Sequence, residues 1–413
     1  MNERVTIVAL ILLGLGVVFV IFNPFGWLEP EEHPLPELDP EQVSRLVSEI
    51  EQGKTDPSRG VLDLFQDHQV VLAGELGIIK NEVDFIAELL PQLPGAGVRI
   101  LGLEHLLASD QDTIDNLINA PEFDRDTAEE LLMRRLVTWG YNEYVQLLEA
   151  AWRVNNSPEG PFRVLGLNVF QSYAHLSTTD DFRDPNKLRQ VMEEGNPDEF
   201  IARTISASIL EKGESALVFL DREKAFTDFL LKSHAEEMNA IGMEESRQSG
   251  RILADRYGDR VATVLFHSPW PSSFTTSRAQ HPVNGLMTAA IERMKENGTG
   301  DRLFPFAIAM EDMPFTGDTA IGHTNFAIGY TNDNNGGSDL LFRQMADLYI
   351  VFNELHNLDT ATAIPDFVNE ENTEFAISNF PGTRYEDADS DDVNDFIRRF
   401  SEDRKELLER FND

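Results

Sequence analysis

Short, nearly unbroken apolar runs recur along this chain, and stretches with apolar residues at helical spacing lie between them. The runs are Val70 to Gly74, Val98 to Leu103 (broken only by Arg99), Phe162 to Leu167 (broken only by Arg163), Ala216 to Leu220 and Val261 to Phe266. Phe304 to Met310 and Leu348 to Phe352 are less clear members of the series. Helical spacing marks Val83 to Leu93, Asp110 to Leu117, Thr127 to Leu136, Glu143 to Val154 and Pro197 to Leu210. A strand buried on one face alternates apolar with polar residues; a strand buried on both faces is apolar throughout. The pattern therefore predicts an α/β fold, a mostly parallel central sheet with helices on both faces. No internal repeat or heptad array interrupts it.

Polar residues stand directly behind these runs: Glu75, Glu104 with His105, Asn168, Asp221 and His267. Ligands of open parallel sheets bind outside the carboxyl ends of the strands, so such residues can converge on one crevice. Carboxylates and imidazoles there could hold a cation or serve as general acid and base around a water. Each could equally cap the next helix or close a turn. His267 lies in Phe266-His267-Ser268-Pro269-Trp270-Pro271, an irregular turn with a flat aromatic wall, and reads as a ligand or as a structural histidine. His234, His281 and His323 read as surface or loop residues, and Lys80 as a solvated lysine, a salt-bridge partner or an anion contact at a helix start.

The ends of the chain differ from the body. Val5 to Leu28 carries no charged residue, long enough at 1.5 Å per residue to cross a hydrocarbon core of ~30 Å. Residues 1–28 are expected to be a transmembrane signal anchor, with Arg4 inside and the body outside the cytoplasm at the cell membrane; a cleaved signal peptide is the alternative. Residues 29–40, rich in Pro and Glu, read as a linker, and Asp39-Pro40-Glu41 opens a helix. Residues 41–384 form the α/β domain. Residues 385–413 are an acidic C-terminal helical segment that docks on the body, meets a partner or remains a mobile appendage. Asn332 to Ser338 reads as a plain loop.

Composition narrows the function classes. With 34 basic and 72 acidic residues the net charge is −38, spread along the chain, which speaks against nucleic acid as a partner. Only eight of the basic residues are Lys, and so acidic a surface suits a salty exterior or reflects lineage bias. Zero Cys removes disulfides, thiolate metal sites and a Cys nucleophile. No Gly-x-Ser-x-Gly elbow, P-loop, dinucleotide fingerprint or His-Glu-x-x-His segment is present.

Several of these residues carry a resemblance. Val71-Leu72-Ala73-Gly74-Glu75, Leu101-Gly102-Leu103-Glu104, Trp139 with Tyr144, Leu147, Leu148 and Ala151, and Val164-Leu165-Gly166-Leu167-Asn168 resemble the ChaN-like, erythromycin-esterase-like and Tiki superfamily, over roughly residues 69–352. The resemblance implies an α/β fold with Glu and His at the strand ends. Within that superfamily some members are metal-dependent proteases, some hydrolyse a macrolide lactone, and the ChaN branch binds haem at a cell surface. Gly74-Glu75 matches its first motif, Glu104 its second carboxylate, and Val261 to His267 a late strand. The departures are equally specific: Gly77 and Ile78 stand where a His is expected, and Lys224 where a second His is expected.

These readings give a membrane-anchored, extracytoplasmic domain whose crevice, with Lys224 neutralising Glu75 or Glu104, binds haem, a divalent metal, another small molecule or a peptide. The alternatives are a metal-dependent hydrolase of esters or peptides, with Glu75 as base and Glu104, His105 and His267 holding a metal or polarising substrate, and an envelope scaffold.

Overall fold

The computed structural model describes residues 35–178, 180–271, 279–299, 303–313, 330–331, 341–381 and 388–412. Its centre is a seven-stranded sheet: β1 (Val70–Glu75), β2 (Ile100–Leu107), β3 (Arg163–Asn168), β4 (Ala216–Asp221), β5 (Val261–Phe266), β6 (Phe306–Ala309) and β7 (Leu348–Val351), in the order β3-β2-β4-β1-β5-β7-β6. Every pairing is parallel except that of β6 with β7. The predicted mostly parallel α/β sheet is thus present. β1 lies near its middle, between β4 and β5.

Alternation along β1 shows why the run had to be apolar throughout. Val71 and Ala73 join a core with Val83 and Ile86 of α1 (Lys80–Leu89) and Leu147 and Leu148 of α2 (Asn142–Asn155). Val70 and Leu72 face the opposite way, onto Ile201 and Ile205 of helix Pro197–Ser208 and Leu253 of helix Ser249–Tyr257. At the other end of the sheet, Tyr349 and Val351 of β7 pack with Leu46 and Ile50 of the helix Pro40–Gly53 and with Met287 and Ile291. That first helix starts as expected, with Asp39 accepting from the Glu41 N–H and Pro40 at its first position.

Two features shape the carboxyl edge of the sheet. Gly74 sits where a Cβ would lie 2.9 Å from both Ala225 Cβ and Arg222 Cα, so only glycine lets the turn after β4 pack over β1. The second is a correction to the expected end of β2. Glu104 and His105 do not follow the strand; they lie inside it. Leu103 pairs with Gly166 and Leu107 with Asn168, so three residues of β2 oppose one of β3. This bulge carries Glu104, His105 and Leu106, and a bulge re-aims side chains that strict alternation would fix.

The C-terminal segment forms α3 (Ser390–Glu409), opened by an Asp389–Asp392 capping box. Val393, Ile397, Ser401, Arg404 and Leu408 form its buried stripe, and it docks on the body. Tyr141 donates to the Ile397 carbonyl at 3.1 Å, and Ser401 Oγ donates to the Ala361 carbonyl at 2.6 Å. The expected membrane span Val5 to Leu28, most of the linker, Asn332 to Ser338 and His323 lie outside the described residues. Among the described residues no helix is long and apolar enough to cross a membrane.

Candidate functional site at the strand ends

Two carboxylates anchor the crevice, one on each of two strands flanking β4. Glu75, at the end of β1, is buried, and both its oxygens are engaged. Tyr144 of α2 donates to Oε2 at 2.6 Å, and His105 Nε2 lies 2.5 Å from Oε1. A carboxylate can only accept, so Nε2 carries a ring proton, and in the neutral ring Nδ1 presents a lone pair. Nδ1 has no hydrogen-bond partner. The imidazole is clamped between rings, with centroids at 4.7 Å from Tyr144, 5.4 Å from Trp139 and 5.6 Å from Phe219.

The turn after β1 explains why no side chain follows Glu75 into this space. Gly77 has φ of +85°, a left-handed conformation that disfavours residues with a Cβ, and a Cβ there would lie 3.4 Å from the Trp139 ring. Glu75 thus meets its imidazole from β2, on the far side of β4, through the β2 bulge. The Tyr144 hydroxyl also accepts from the Ile78 N–H at 3.2 Å, and Glu82 Oε2 accepts from the Leu76 N–H at 2.8 Å, which pins the turn. Glu82 is 1 % exposed with Oε1 unpartnered. Burial, with the Glu75 charge added, pushes its carboxyl up to about 8, so it is mostly protonated at neutral pH.

Glu104 lives among charges. Lys224 Nζ is hydrogen-bonded to Oε1, the Asp221 N–H donates to Oε2 at 2.8 Å, and Asn168 Nδ2 lies 3.4 Å from Oε1. Arg135 Nη2 stands 3.8 Å away. Burial opposes the Glu104 charge, but Lys224 and then Arg135 outweigh it and hold the carboxyl down at about 2. Lys224 is raised in return: burial alone would lower it, and Glu104, with the Asp198 and Asp221 charges, more than compensates. Asp221 closes the turn by accepting from the Glu223 N–H at 2.8 Å.

Glu75, Gly77, Glu104, His105, Arg135, Thr138, Trp139 and Asp221 line one cleft, with Phe396, Phe400 and Arg404 of α3 across its mouth. Its water-accessible space is about 60 Å³, room for a handful of waters at the ~10–15 Å³ that each one needs. Asn168 and Lys224 reach this cleft only through Glu104. His267 does not join it. It is buried beyond β5, pairs with the Tyr349 hydroxyl at 3.0 Å, and is pushed down to about 3 by burial and by His281.

Two other expectations are corrected, and that for Lys80 is narrowed. His234 and His281 are buried rather than at the surface, since His234 faces Asp198 at 3.5 Å and His281 faces Thr288 at 3.1 Å. Lys80 is a salt-bridge partner, 3.0 Å from Asp84 and 3.2 Å from Glu143. Among the described residues no group of three His, Asp or Glu side chains is arranged to hold a metal ion, and the expected Glu104–His105–His267 set is not assembled. Haem does not fit the cleft either: the space is far too small for a macrocycle.

Fold and site together define an α/β protein with a buried carboxylate–imidazole pair in a strand-end cleft. No family model matches the sequence, and no curated protein does so either. Solved structures do match. One is a protein described as a succinoglycan biosynthesis protein: 10 % identical, TM-score 0.50, covering 78 % of this chain and 99 % of its own. At that identity the likeness shows a shared fold and nothing further. The matches also include members of the two branches that the motifs resemble. These are an erythromycin esterase in its open conformation (9 % identical, 75 % of this chain and 95 % of its own, TM-score 0.44) and the haem-binding ChaN of Campylobacter jejuni (13 %, 53 % and 88 %, TM-score 0.33).

Proposed function

We propose that the strand-end cleft is an acid–base site for a small ligand, and that the chain is a hydrolase of esters or related acyl compounds. The observation that carries this reading is the His105 ring, held at Nε2 by Glu75 and left without a partner at Nδ1. A histidine oriented by a buried carboxylate is the arrangement that general-base activation of water requires. Nδ1 takes the proton from the attacking water, while Glu75 fixes the ring and stabilises the imidazolium that forms. Tyr144 holds Glu75 in register, and a protonated Glu82 spares Glu75 a second negative neighbour. The two imidazoles absent at Gly77 and Lys224 are not needed for this chemistry.

The apolar stretch Val5 to Leu28 supports a further part of the proposal, that the domain is tethered to the cell membrane and works outside the cytoplasm. A small esterified ligand is its partner. Turnover of a panel of short-chain esters, lactones and peptides by the purified full chain, with and without His105→Gln, tests the reading. Hydrolysis lost in the variant supports it; an inert wild type, or a variant as fast as the wild type, overturns it.

One observation favours a second reading, that of a binding protein: α3 lies across the mouth of the cleft and leaves space for little more than water. In that case ligand would stabilise the protein without being consumed.

A further inference from the structure

Unsatisfied donors outnumber acceptors in the strand-end cleft. Arg135, at the last turn of helix Arg125–Arg135, is 6 % exposed, and its Nε and Nη1 have no hydrogen-bond partner. Its Nη2 stops 3.8 Å short of Glu104, beyond hydrogen-bond reach. The indole Nε1 of Trp139 is also enclosed and unpartnered. Arg404 of α3 is 8 % exposed and makes no hydrogen bond or ion pair among the described residues; the Phe400 ring lies 5.8 Å from the guanidinium carbon, and the charges acting on it are those of Arg222 and Glu82. All three residues line the same cleft. The carboxylates lining it are already engaged, Glu75 by Tyr144 and His105, Glu104 by Lys224 and the Asp221 N–H, and Asp221 by the Glu223 N–H.

Leaving buried charged donors unpaired is among the costlier defects a fold can carry. Two buried guanidinium residues lining one small space are matched by a group with negative charge and several acceptor oxygens, which their planar forks can grip in bidentate fashion. We propose that Arg135 and Arg404 clamp an oxyanion group of the ligand, a carboxylate or a phosphate, in the strand-end cleft. The clamp joins two distant parts of the chain, so the ligand binds only when α3 is docked. Combined with the acid–base reading on which it rests, the clamp narrows the substrate class to small esters that also carry an acidic group.

Binding can be measured without turnover, which separates this inference from hydrolysis. The full chain in detergent is titrated with acetate and, separately, with inorganic phosphate, with chloride at matched ionic strength as the control that a protein of net charge −38 requires. Tryptophan fluorescence and melting temperature report binding. Saturable binding of one anion beyond the chloride effect is expected, and the stronger one identifies the group. Arg135→Gln and Arg404→Gln should each weaken it roughly tenfold to a hundredfold. Arg398→Gln, at a half-exposed position of the same helix and outside the cleft, should bind the anion within about twofold of wild type. Should Arg404→Gln fail to fold, Arg404→Lys, which keeps the charge but not the fork, should weaken binding by a smaller factor. Absence of saturable binding by the wild type, or wild-type affinity in Arg135→Gln, overturns the proposal.

Discussion

Glu75 and Glu104 occupy matching places on strands that flank β4, yet their surroundings give them opposite work. Glu75 is held by a phenol and an imidazole, partners that can give or take a proton. Glu104 is held by Lys224, with Arg135 beside it and two further donors, and these fix its charge. Same side chain, same end of the sheet: the partners decide which carboxylate the proposed reaction can use and which is fixed as a charge. Lys224 in place of an imidazole therefore removes Glu104 from acid–base work while leaving Glu75 free for it.

The contrast can be broken at either end. The largest effect expected is on catalysis: His105→Gln should cut ester turnover by about 10²–10⁴-fold while the melting temperature changes little, measured by steady-state kinetics beside a thermal scan. Lys224→Ala should do the reverse, destabilising the fold by about 3–5 kcal/mol in urea titrations because Glu104 is left buried and unpaired. A milder result there would place Glu104 in solvent contact and weaken the contrast.

Glu82 supplies a pH-dependent test. Its folded-state value of about 8 lies above the ordinary 4.5, so the stability associated with its neutral form is fully present below about 4.5 and is lost as pH rises to about 8. Glu82→Gln should abolish that loss, leaving the variant more stable than wild type at pH 9 by up to a few kcal/mol, and about equal to it at pH 4. The smallest effect belongs to Tyr144→Phe. Removing one hydrogen bond to Glu75 should cost about 1–2 kcal/mol of stability and a modest factor in turnover.

Much of this was legible before any coordinates. The unbroken apolar runs announced strands covered on both faces, and Glu75 and Glu104 stood out because such runs pointed at them. The end of β2 is not legible, because Glu-His directly behind an apolar run reads as the residues that follow a strand; in the fold a bulge and buried partners let both residues continue it. Glu82, Arg135 and Arg404 gave weaker signals. Glu82 is an acidic residue in the first turn of a helix, where such residues are common. Arg135 follows another arginine, and nothing local says that one is buried and its neighbour half exposed. Arg404 did leave a trace, because it continues the stripe of Val393, Ile397 and Ser401. A charge on the buried face of an amphipathic helix hints at a partner, but only packing says what it meets.

The central claim is that Glu75 with His105, and not Glu104 with Lys224, performs the chemistry. Ester turnover of Glu75→Gln, set beside that of the paired neutral variant Glu104→Gln/Lys224→Met, tests it most directly. Removing both charges of a buried pair is tolerated far better than removing one, so the paired variant should fold and keep turnover within about tenfold of wild type. Glu75→Gln should lose at least about a hundredfold. Equal losses in the two, or a greater loss in the paired variant, would contradict the account.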